Sequence, residues 1–246
     1  MVKEELIQRS PVRVFMNSIH GGLKPGELAL IASPSGIGKT SVLVQIAMDK
    51  LLQGKKVIHI SFTQHTDYVL SWYENIFNEF IKKKNLENEE DVKNEVVKNR
   101  VLMKFTQGGV SSEQILRSLR ALIKDGNFNA DAIIIDGFDF SGPREGHIAA
   151  VKAFAEEMGA SVWYSCTVKG DEPYDKRNIP LVISDCADLF SVIITLDSKP
   201  EPSAEAGGRG SPPAHIAFTV SRDRDAYNPE HLALKLDPKT LLILEN

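Results

Sequence analysis

The sequence has little cysteine, no strong net charge and no long apolar run. Its two cysteines, Cys166 and Cys186, are too few for a disulfide framework, and they lack the histidine partners of a zinc site. A net charge of -4 gives no overall attraction to nucleic acid, although it leaves room for a local basic patch. No apolar stretch approaches the length of a membrane span, and the first residues show no signal peptide. We therefore expect a cytoplasmic protein that does not contact a membrane.

The order of apolar runs predicts the fold class. Short strand-like runs alternate with helical patterns from Leu28–Ala32 to Ala160–Ser165. Four further strand-like runs follow with no helix between them, at 191–196, 215–220, 231–236 and 240–244. Alternating strands and helices indicate an α/β fold in which a mostly parallel, twisted sheet carries helices on both faces. The last runs predict antiparallel strands at the C-terminal edge of that sheet.

The domain organisation is predicted to be simple. Residues 1–13 are expected to form an N-terminal arm, and residues 14–246 a single domain. Within it, Ser198–Pro213 is rich in Pro, Gly and Ser, which predicts a flexible loop in a hairpin. The segment Lys82–Asn99 is dense in Lys, Glu and Asn, which predicts a solvated helix of mixed charge.

The most specific motif is a glycine-rich turn between a predicted strand and a predicted helix. Residues Ser33-Pro-Ser-Gly-Ile-Gly-Lys-Thr40 fit the pattern G-x-x-x-x-G-K-[ST], except that Ser33 replaces the first glycine. The inner glycines let successive N–H groups point at phosphate oxygens, and the helix that follows favours anions at its start. The residues predicted to bind the nucleotide are Ser33, Pro34, Ser35, Gly36, Ile37, Gly38, Lys39, Thr40 and Ser41.

Lys39, Thr40 and Asp136 are the predicted catalytic and metal-binding groups of this site. Lys39 is expected to reach the β- and γ-phosphates of ATP, and the Thr40 hydroxyl to bind Mg²⁺. Asp136 ends the apolar run 131–136, at the strand edge where ligands bind in open α/β sheets. Beside a phosphate-binding loop, this carboxylate is expected to hold Mg²⁺ through water. The alternative is a strand-end aspartate that caps a turn.

Both ends of the chain resemble a known family. The segment 21–32, running into 34–40, is similar to the start of the ATPase core of DnaB-type replicative helicases and their RecA and KaiC relatives. The segment 219–224, with 236–239 after it, resembles the last strands of the same domain. The resemblance covers roughly residues 14–245. It implies a RecA-like P-loop fold, ATP or ADP as ligand, and a homo-oligomeric ring with nucleotide at the subunit interface.

The same resemblance assigns a role to two arginines. Arg222 and Arg224 match the family's basic pair, which reaches the γ-phosphate held by the neighbouring subunit. Such an arginine stabilises charge on the transferring phosphoryl group. The alternative is a solvated turn, 221–225, whose alternating charges satisfy one another.

The sequence departs from the family where a glutamate activates the attacking water. Thr63 or Gln64 stands at that position after the second strand. Gln64 can orient water but accepts a proton poorly. His65 and Asp67 are possible substitutes, or else exposed turn residues. We therefore expect ATP hydrolysis to be slow or absent.

Two further positions concern the polar group that the family places near the γ-phosphate and a contact with the nucleobase. After Ala160–Ser165, Cys166 and Thr167 occupy the place where the family has a polar group near the γ-phosphate. Thr167 can hydrogen-bond phosphate or water, whereas Cys166 is expected to be a small buried side chain. Tyr227 is a weak candidate for a contact with the nucleobase.

Single-stranded DNA is a possible partner. By the resemblance, the loops 141–147 and 169–178 would face a ring channel, and their cations are Arg144, Lys169, Lys176 and Arg177. Interleaved carboxylates weaken the charge neutralisation on which phosphate binding depends. Tyr174 could stack on a base or simply be exposed. DNA binding therefore stays open.

Three functions remain at this point. The first is an ATPase that acts on DNA or on a protein partner. The second is a regulatory module that changes shape when nucleotide binds and hydrolyses little, which the missing glutamate favours. The third, a small-substrate kinase, ranks last, because such enzymes close an arginine-rich lid and the long loop offers only Arg209.

Overall fold

In the computed structural model, residues 7, 10–84, 88–142, 146–200, 214–227, 230–237 and 240–245 are described. Within them, nine strands form one sheet in the order β3-β2-β4-β5-β1-β6-β7-β8-β9. The strands are β1 Leu28–Ser33, β2 Val57–Ser61, β3 Arg100–Lys104, β4 Ala132–Asp136, β5 Ser161–Thr167, β6 Val192–Pro200, β7 Ala214–Asp223, β8 Glu230–Leu236 and β9 Ile243–Glu245.

Six α-helices of eight or more residues are described. They are α1 Pro11–Ser18, α2 Lys39–Leu52, α3 Thr66–Lys84, α4 Glu89–Lys98, α5 Ser112–Arg120 and α6 His147–Met158. A π-helical turn, Ala121–Asp125, extends α5, and short 3₁₀ turns lie at Leu181–Ile183 and Ala187–Leu189.

The strand directions confirm the predicted fold class. All pairings among β1 to β6 are parallel, whereas β6 to β9 pair antiparallel. Parallel pairing needs a crossover between strands, and the intervening helices provide it. The antiparallel strands stand at one edge, as the C-terminal pattern predicted.

Helices cover both faces of the parallel part. Successive strand residues point to opposite faces, so Ala29 and Ile31 of β1 join one apolar cluster with α2 and α3. Leu28 and Leu30 join a second cluster with α5 and α6. This two-sided burial explains why β1 and β4 are apolar up to their last residue rather than alternating.

The helix α1 begins within the predicted arm 1–13. Val12 and Phe15 of α1 are fully buried. Arg13 Nε also lies 2.9 Å from the Asp49 carboxylate of α2. The expected boundary at residue 13 lies within α1, and the division into an arm and a domain stays a prediction. Residues 1–6, 8 and 9 lie outside the described residues.

Two other segments differ from the sequence prediction. The predicted solvated helix 82–99 covers the end of α3 and the whole of α4. α4 buries Val92 and Val96. These valines lie four residues apart, so they share the face that packs on the core. Residues 198–200 of the predicted loop are strand, paired with β7 as far as Ala214. The rest of that segment, 201–213, lies outside the described residues.

The turn before β9 is fastened to helix α2 by a buried polar network. The Leu241 carbonyl accepts hydrogen bonds from Ser41 Oγ at 2.7 Å and Gln45 Nε2 at 2.9 Å. Gln45 Oε1 in turn accepts from the Ile243 N–H at 2.9 Å. Gln45 is 1% exposed, so a lost partner here would not be replaced by water.

We expect Gln45→Ala to lower the free energy of unfolding by about 2–3 kcal/mol, because it leaves the buried Ile243 N–H unpaired. Chemical denaturation measures this change. Ser71→Ala is the control, because the Ser71 hydroxyl is exposed and bonds the Asp67 carbonyl within α3, and should cost under about 1 kcal/mol. Equal losses in the two variants would show that the network does not fasten the turn.

Candidate functional site

The glycine-rich loop leaves the carboxyl end of β1 and leads directly into α2. β1 ends at Ser33 and α2 begins at Lys39, with Gly38 in the left-handed conformation at φ 106°. A Cβ at Gly38 would overlap Cδ2 of Leu236, the last residue of β8. The backbone angle and the space available therefore both require glycine at this position.

A cavity of about 460 Å³ opens beside this loop, within the range of small-molecule sites. Its lining comes from the loop, from the ends of β2, β4 and β5, from α3 and from the C-terminal turn. The lining residues are Ser35, Gly36, Gly38, Lys39, Thr40, Ser41, Thr63, Gln64, Trp72, Asp136, Gly137, Phe138, Asp139, Phe140, Ser165, Thr167 and Leu241.

Thr40 and Asp136 meet in this cavity. Thr40 Oγ1 donates to Asp136 Oδ2 at 2.8 Å, across 96 residues of sequence. Ser165 Oγ donates to the other carboxylate oxygen at 2.5 Å, and Asp136 is 3% exposed. A hydroxyl and a carboxylate at this distance fit Mg²⁺, which takes few protein oxygens and completes its shell with water and phosphate.

Lys39 is folded back onto its own loop. Its ammonium donates to the carbonyls of Ser33 and Pro34, both at 2.9 Å, and to Ser33 Oγ at 3.2 Å. Burial lowers the pKa of Lys39, against the opposing charges of Cys166 and Asp136. Ser33, which replaces the usual glycine, therefore supplies two of the three oxygens that hold Lys39.

The rest of the loop divides into an open part and a packed part. Gly36 has no atom within 4 Å of where a Cβ would be, so its side of the loop is free to approach a ligand. Ile37 packs against the apolar cluster of α2 and α3. The Ser41 hydroxyl is committed to the Leu241 carbonyl, so only its backbone is available to a nucleotide.

Gln64 lines the cavity. Its backbone N–H donates to Ser61 Oγ at 2.9 Å, which fixes the turn after β2. Its Oε1 is buried and has no hydrogen-bond partner among the described residues, so this acceptor is left unused within the fold. Thr63 lies next to it, against Gly137.

The other candidates after the second strand do not line this cavity. His65 and Asp67 pair with each other at 3.1 Å, with side chains 57% and 84% exposed, and neither lines the cavity. On β5, Thr167 lines the cavity, whereas Cys166 is fully buried. Ser165, which the sequence reasoning missed, bonds Asp136 directly; its place at the end of the strand beside β4 was the available signal.

Arg222 and Arg224 lie near the amino ends of the parallel strands, whereas the cavity lies at their carboxyl ends. Arg222 pairs with Ile193 near the start of β6, whereas the glycine-rich loop follows the end of β1, which is parallel to β6. Arg224 donates to the Glu27 carboxylate at 3.1 Å and to the Gly22 carbonyl at 3.0 Å. Neither arginine can therefore reach a nucleotide on its own loop.

The proposed DNA-contacting cations differ in availability. Lys169 and Lys176 are exposed, and Tyr174 is 41% exposed. Arg177 is engaged with Asp175 at 2.9 Å and Asp188 at 3.2 Å. Arg144 lies outside the described residues.

Phe138 connects the cavity to a buried histidine. Its ring stacks on His147, with centroids 4.3 Å apart. His147 Nδ1 is 2.6 Å from Ser112 Oγ, and its Nε2 is 3.3 Å from the Tyr164 hydroxyl. Burial lowers the pKa of His147 from 6.5 to about 4.

Comparison with known proteins gives a short match. No protein-family model matches the chain. A segment of 45 residues is 47% identical to the DNA repair protein RadA of Aquifex aeolicus (strain VF5), which is 18% of this chain and 10% of that relative. The match therefore spans about a tenth of the relative's length. Together with the mostly parallel sheet, it is compatible with a RecA-like domain. Within the described residues, no helix is long and apolar enough to cross a membrane.

Because His147 is buried, we expect the free energy of unfolding to fall in acid. Between pH 6.5 and about 4 the folded chain keeps His147 neutral while the unfolded chain protonates it, so the free energy of unfolding falls as the pH falls. At pH 5 this amounts to about 2 kcal/mol. We expect His147→Gln to lose that much less stability than wild type between pH 7 and pH 5, measured by urea denaturation.

The matched control for this measurement is His65→Gln, which changes an exposed histidine. It should follow the wild-type pH dependence. A His147→Gln curve that also follows wild type would contradict the role given to burial.

Proposed function

We propose that this chain is a RecA/DnaB-like nucleotide-binding domain that holds ATP with Mg²⁺ on the loop 33–40. The observation that carries the proposal is the hydrogen bond from Thr40 to Asp136 at 2.8 Å, directly beside that loop. It joins the two oxygen groups that such a site needs for a metal ion. The open space at Gly36 and the size of the cavity support the same function.

Each residue has a distinct part in this proposal. Loop N–H groups and the start of α2 would bind the phosphates. Lys39 would exchange its bonds to Ser33 and Pro34 for phosphate oxygens, whose negative charge compensates the ammonium that burial desolvates. Thr40 and Asp136 would hold Mg²⁺, and the ion, when bound, neutralises charge on the phosphates.

Slow hydrolysis is part of the proposal. The unpartnered Gln64 Oε1 can accept a hydrogen bond from a water near the phosphates and so orient it. A neutral amide cannot take the proton of that water, and positioned general bases contribute about 10²–10⁴-fold to such reactions. The nucleotide is therefore expected to remain bound for long periods before it is cleaved.

The proposed function takes two forms, which differ in the partner and in the rate of turnover. In the first, the chain is an ATPase that forms a homo-oligomeric ring, with Arg222 or Arg224 directed at the neighbour's nucleotide, and acts on single-stranded DNA or a protein. In the second, it is a nucleotide-gated binding module with little turnover. Gln64 in place of a carboxylate favours the second version, whereas the exposed Lys169 and Lys176 favour a nucleic-acid contact.

Lys39→Ala should abolish stabilisation by nucleotide. At about 100 times the dissociation constant, ATP with Mg²⁺ should stabilise wild type by about 2.7 kcal/mol, or roughly 5–10 °C in a thermal-shift titration. The variant should show no shift, and EDTA should reduce the wild-type shift. Lys24→Ala, which removes an exposed lysine, should behave as wild type. An unchanged shift in Lys39→Ala would contradict the proposed site.

Steady-state hydrolysis separates the two versions. Turnover that single-stranded DNA stimulates and Lys39→Ala removes would establish the ATPase. Stabilisation by ATP without turnover in either condition would establish the binding module.

Restoring a carboxylate at position 64 should raise turnover. We expect Gln64→Glu to hydrolyse ATP about tenfold or more faster than wild type, because the new side chain can accept a proton where Gln64 lines the cavity. The measurement is phosphate release at saturating ATP. Thr63→Glu is the control, because Thr63 is exposed and turned against Gly137. An equal gain in both variants, or none in Gln64→Glu, would show that Gln64 does not face the attacking water.

A further inference from the structure

A histidine in the middle of β2 keeps one ring nitrogen unsatisfied inside the core. His59 is 1% exposed, and its Nδ1 lies 3.1 Å from the Tyr73 hydroxyl of α3. Its Nε2 is buried and has no hydrogen-bond partner in the described part of the chain. Burying a polar atom without a partner costs stability, so such an atom needs an explanation in the fold or in the function.

The register of the sheet places His59 near Asp136. Ser61 of β2 pairs with Asp136 of β4, and His59 pairs with Ile134. Side chains alternate between the two faces of a strand, so His59 and Asp136 share the face on which Ile134 packs with α2. Neighbouring strands are about 4.8 Å apart and two residues rise about 6.6 Å, which puts these two Cα atoms about 8 Å apart on the diagonal. An imidazole and a carboxylate can approach each other across that distance.

Tyr73 decides which nitrogen of His59 carries the proton. The Tyr73 ring is buried, with the Arg100 guanidinium 4.3 Å from its centre, and burial raises the pKa of its hydroxyl. This hydroxyl therefore keeps its proton and donates it to His59 Nδ1. Burial also lowers the pKa of His59 from 6.5 to about 4, so the ring is neutral at pH 7. A neutral ring whose Nδ1 accepts has its proton on Nε2, and the unsatisfied atom is an N–H donor.

Asp136 has room for one more donor. Its two oxygens accept from Thr40 and from Ser165, whereas a carboxylate offers about four lone-pair sites. The charge of Asp136 acts on the pKa of His59, which agrees with the short diagonal between them. Because His59 Nε2 has no direct partner, a single water is the group that fits between this donor and the carboxylate.

We propose that His59 is a positioning residue for Asp136, whose Nε2 N–H holds the carboxylate through one water in the orientation that binds Mg²⁺. The inference rests on the proposed function and adds to it a group outside the lining of the cavity. Outer partners of this kind fix the direction of a metal-binding side chain, and their loss typically lowers metal affinity about 10–100-fold. Tyr73 contributes by holding the ring in the tautomer that donates.

Two amide variants of His59 test this inference. His59→Asn places an amide near the position of Nδ1, so it keeps a partner for Tyr73 and loses the donor towards Asp136. His59→Gln is one carbon longer and places an amide N–H near the position of Nε2. The measurement is the dissociation constant of a fluorescent, slowly hydrolysed ATP analogue, in EDTA and in excess Mg²⁺. We call the ratio of these two constants the magnesium gain.

We expect His59→Asn to lower the magnesium gain about tenfold or to abolish it, and His59→Gln to restore it to within about threefold of wild type. The dissociation constant in EDTA should stay within about twofold of wild type in both variants, because His59 touches no phosphate. A purely structural role would not separate the two amides, and it would change binding in EDTA as well.

The control is Ser161→Ala, which removes a buried hydroxyl at the amino end of β5, where it donates to the Asp131 carbonyl at 3.2 Å. It should keep the wild-type magnesium gain. Thermal unfolding checks that each variant is folded. If His59→Asn does not fold, Tyr73→Phe takes its place, because it removes only the hydroxyl that fixes the tautomer. It should lower the magnesium gain about threefold or more.

The results separate this inference from the function on which it rests. If wild type shows a magnesium gain and His59→Asn, or Tyr73→Phe in its place, keeps it, the inference fails and the proposed function stands. The same conclusion follows if His59→Gln loses as much as His59→Asn. If wild type binds no analogue, or gains nothing from Mg²⁺, both proposals fail.

Discussion

Parallel pairing of β1, β5 and β4 brings the functional groups of this protein together. Ser33 pairs with Thr167, and Ile135 pairs with Tyr164. The end of β4 at Asp136 therefore comes next to Ser165, two residues before β1 and β5 end. A shift of one residue in this register would turn each side chain to the opposite face of the sheet. The hydrogen bond between Thr40 and Asp136, 96 residues apart in sequence, exists only because the register is fixed by two apolar faces that helices bury.

The last strands support the glycine-rich loop from the other side. Leu236 fills the space at Gly38, and the Leu241 carbonyl takes hydrogen bonds from Ser41 and Gln45 of the helix that the loop begins. If the loop moved when phosphate bound, these contacts would therefore shift the turn between β8 and β9. The neighbouring strand β7 carries Arg222 near its end, where it bonds Asp188. The antiparallel strands therefore adjoin the cavity at the carboxyl ends of the parallel strands and hold Arg222 near their amino ends.

The sequence allowed the fold class to be predicted, because it depends on local patterns. The same patterns singled out the loop 33–40 and Asp136, which lie around one cavity, and their roles stay predictions. Strand and helix periodicity indicated the α/β order, and the spacing of Gly36, Gly38 and Lys39 indicated the loop. The contacts that decide the remaining roles join distant segments: Ser165 with Asp136, Arg222 with Asp188, and Val12 with the core. A pattern along the chain carries no information on such pairs. For the same reason the composition of the segment 82–99 indicates a solvated helix but does not indicate that Val92 and Val96 of α4 pack on the core.

Under the proposed function, two features of the single chain would each slow hydrolysis. Gln64 can orient a water molecule but cannot accept its proton, and Arg222 lies at the far edge of the sheet, bonded to Asp188. Charge that develops on a transferring phosphoryl group would therefore find Lys39 and Mg²⁺ but no arginine. Under the proposed function, the nucleotide would therefore stay bound to the single chain for long periods. An ATPase and a nucleotide-gated module would then differ in the rate of turnover rather than in the residues of the site.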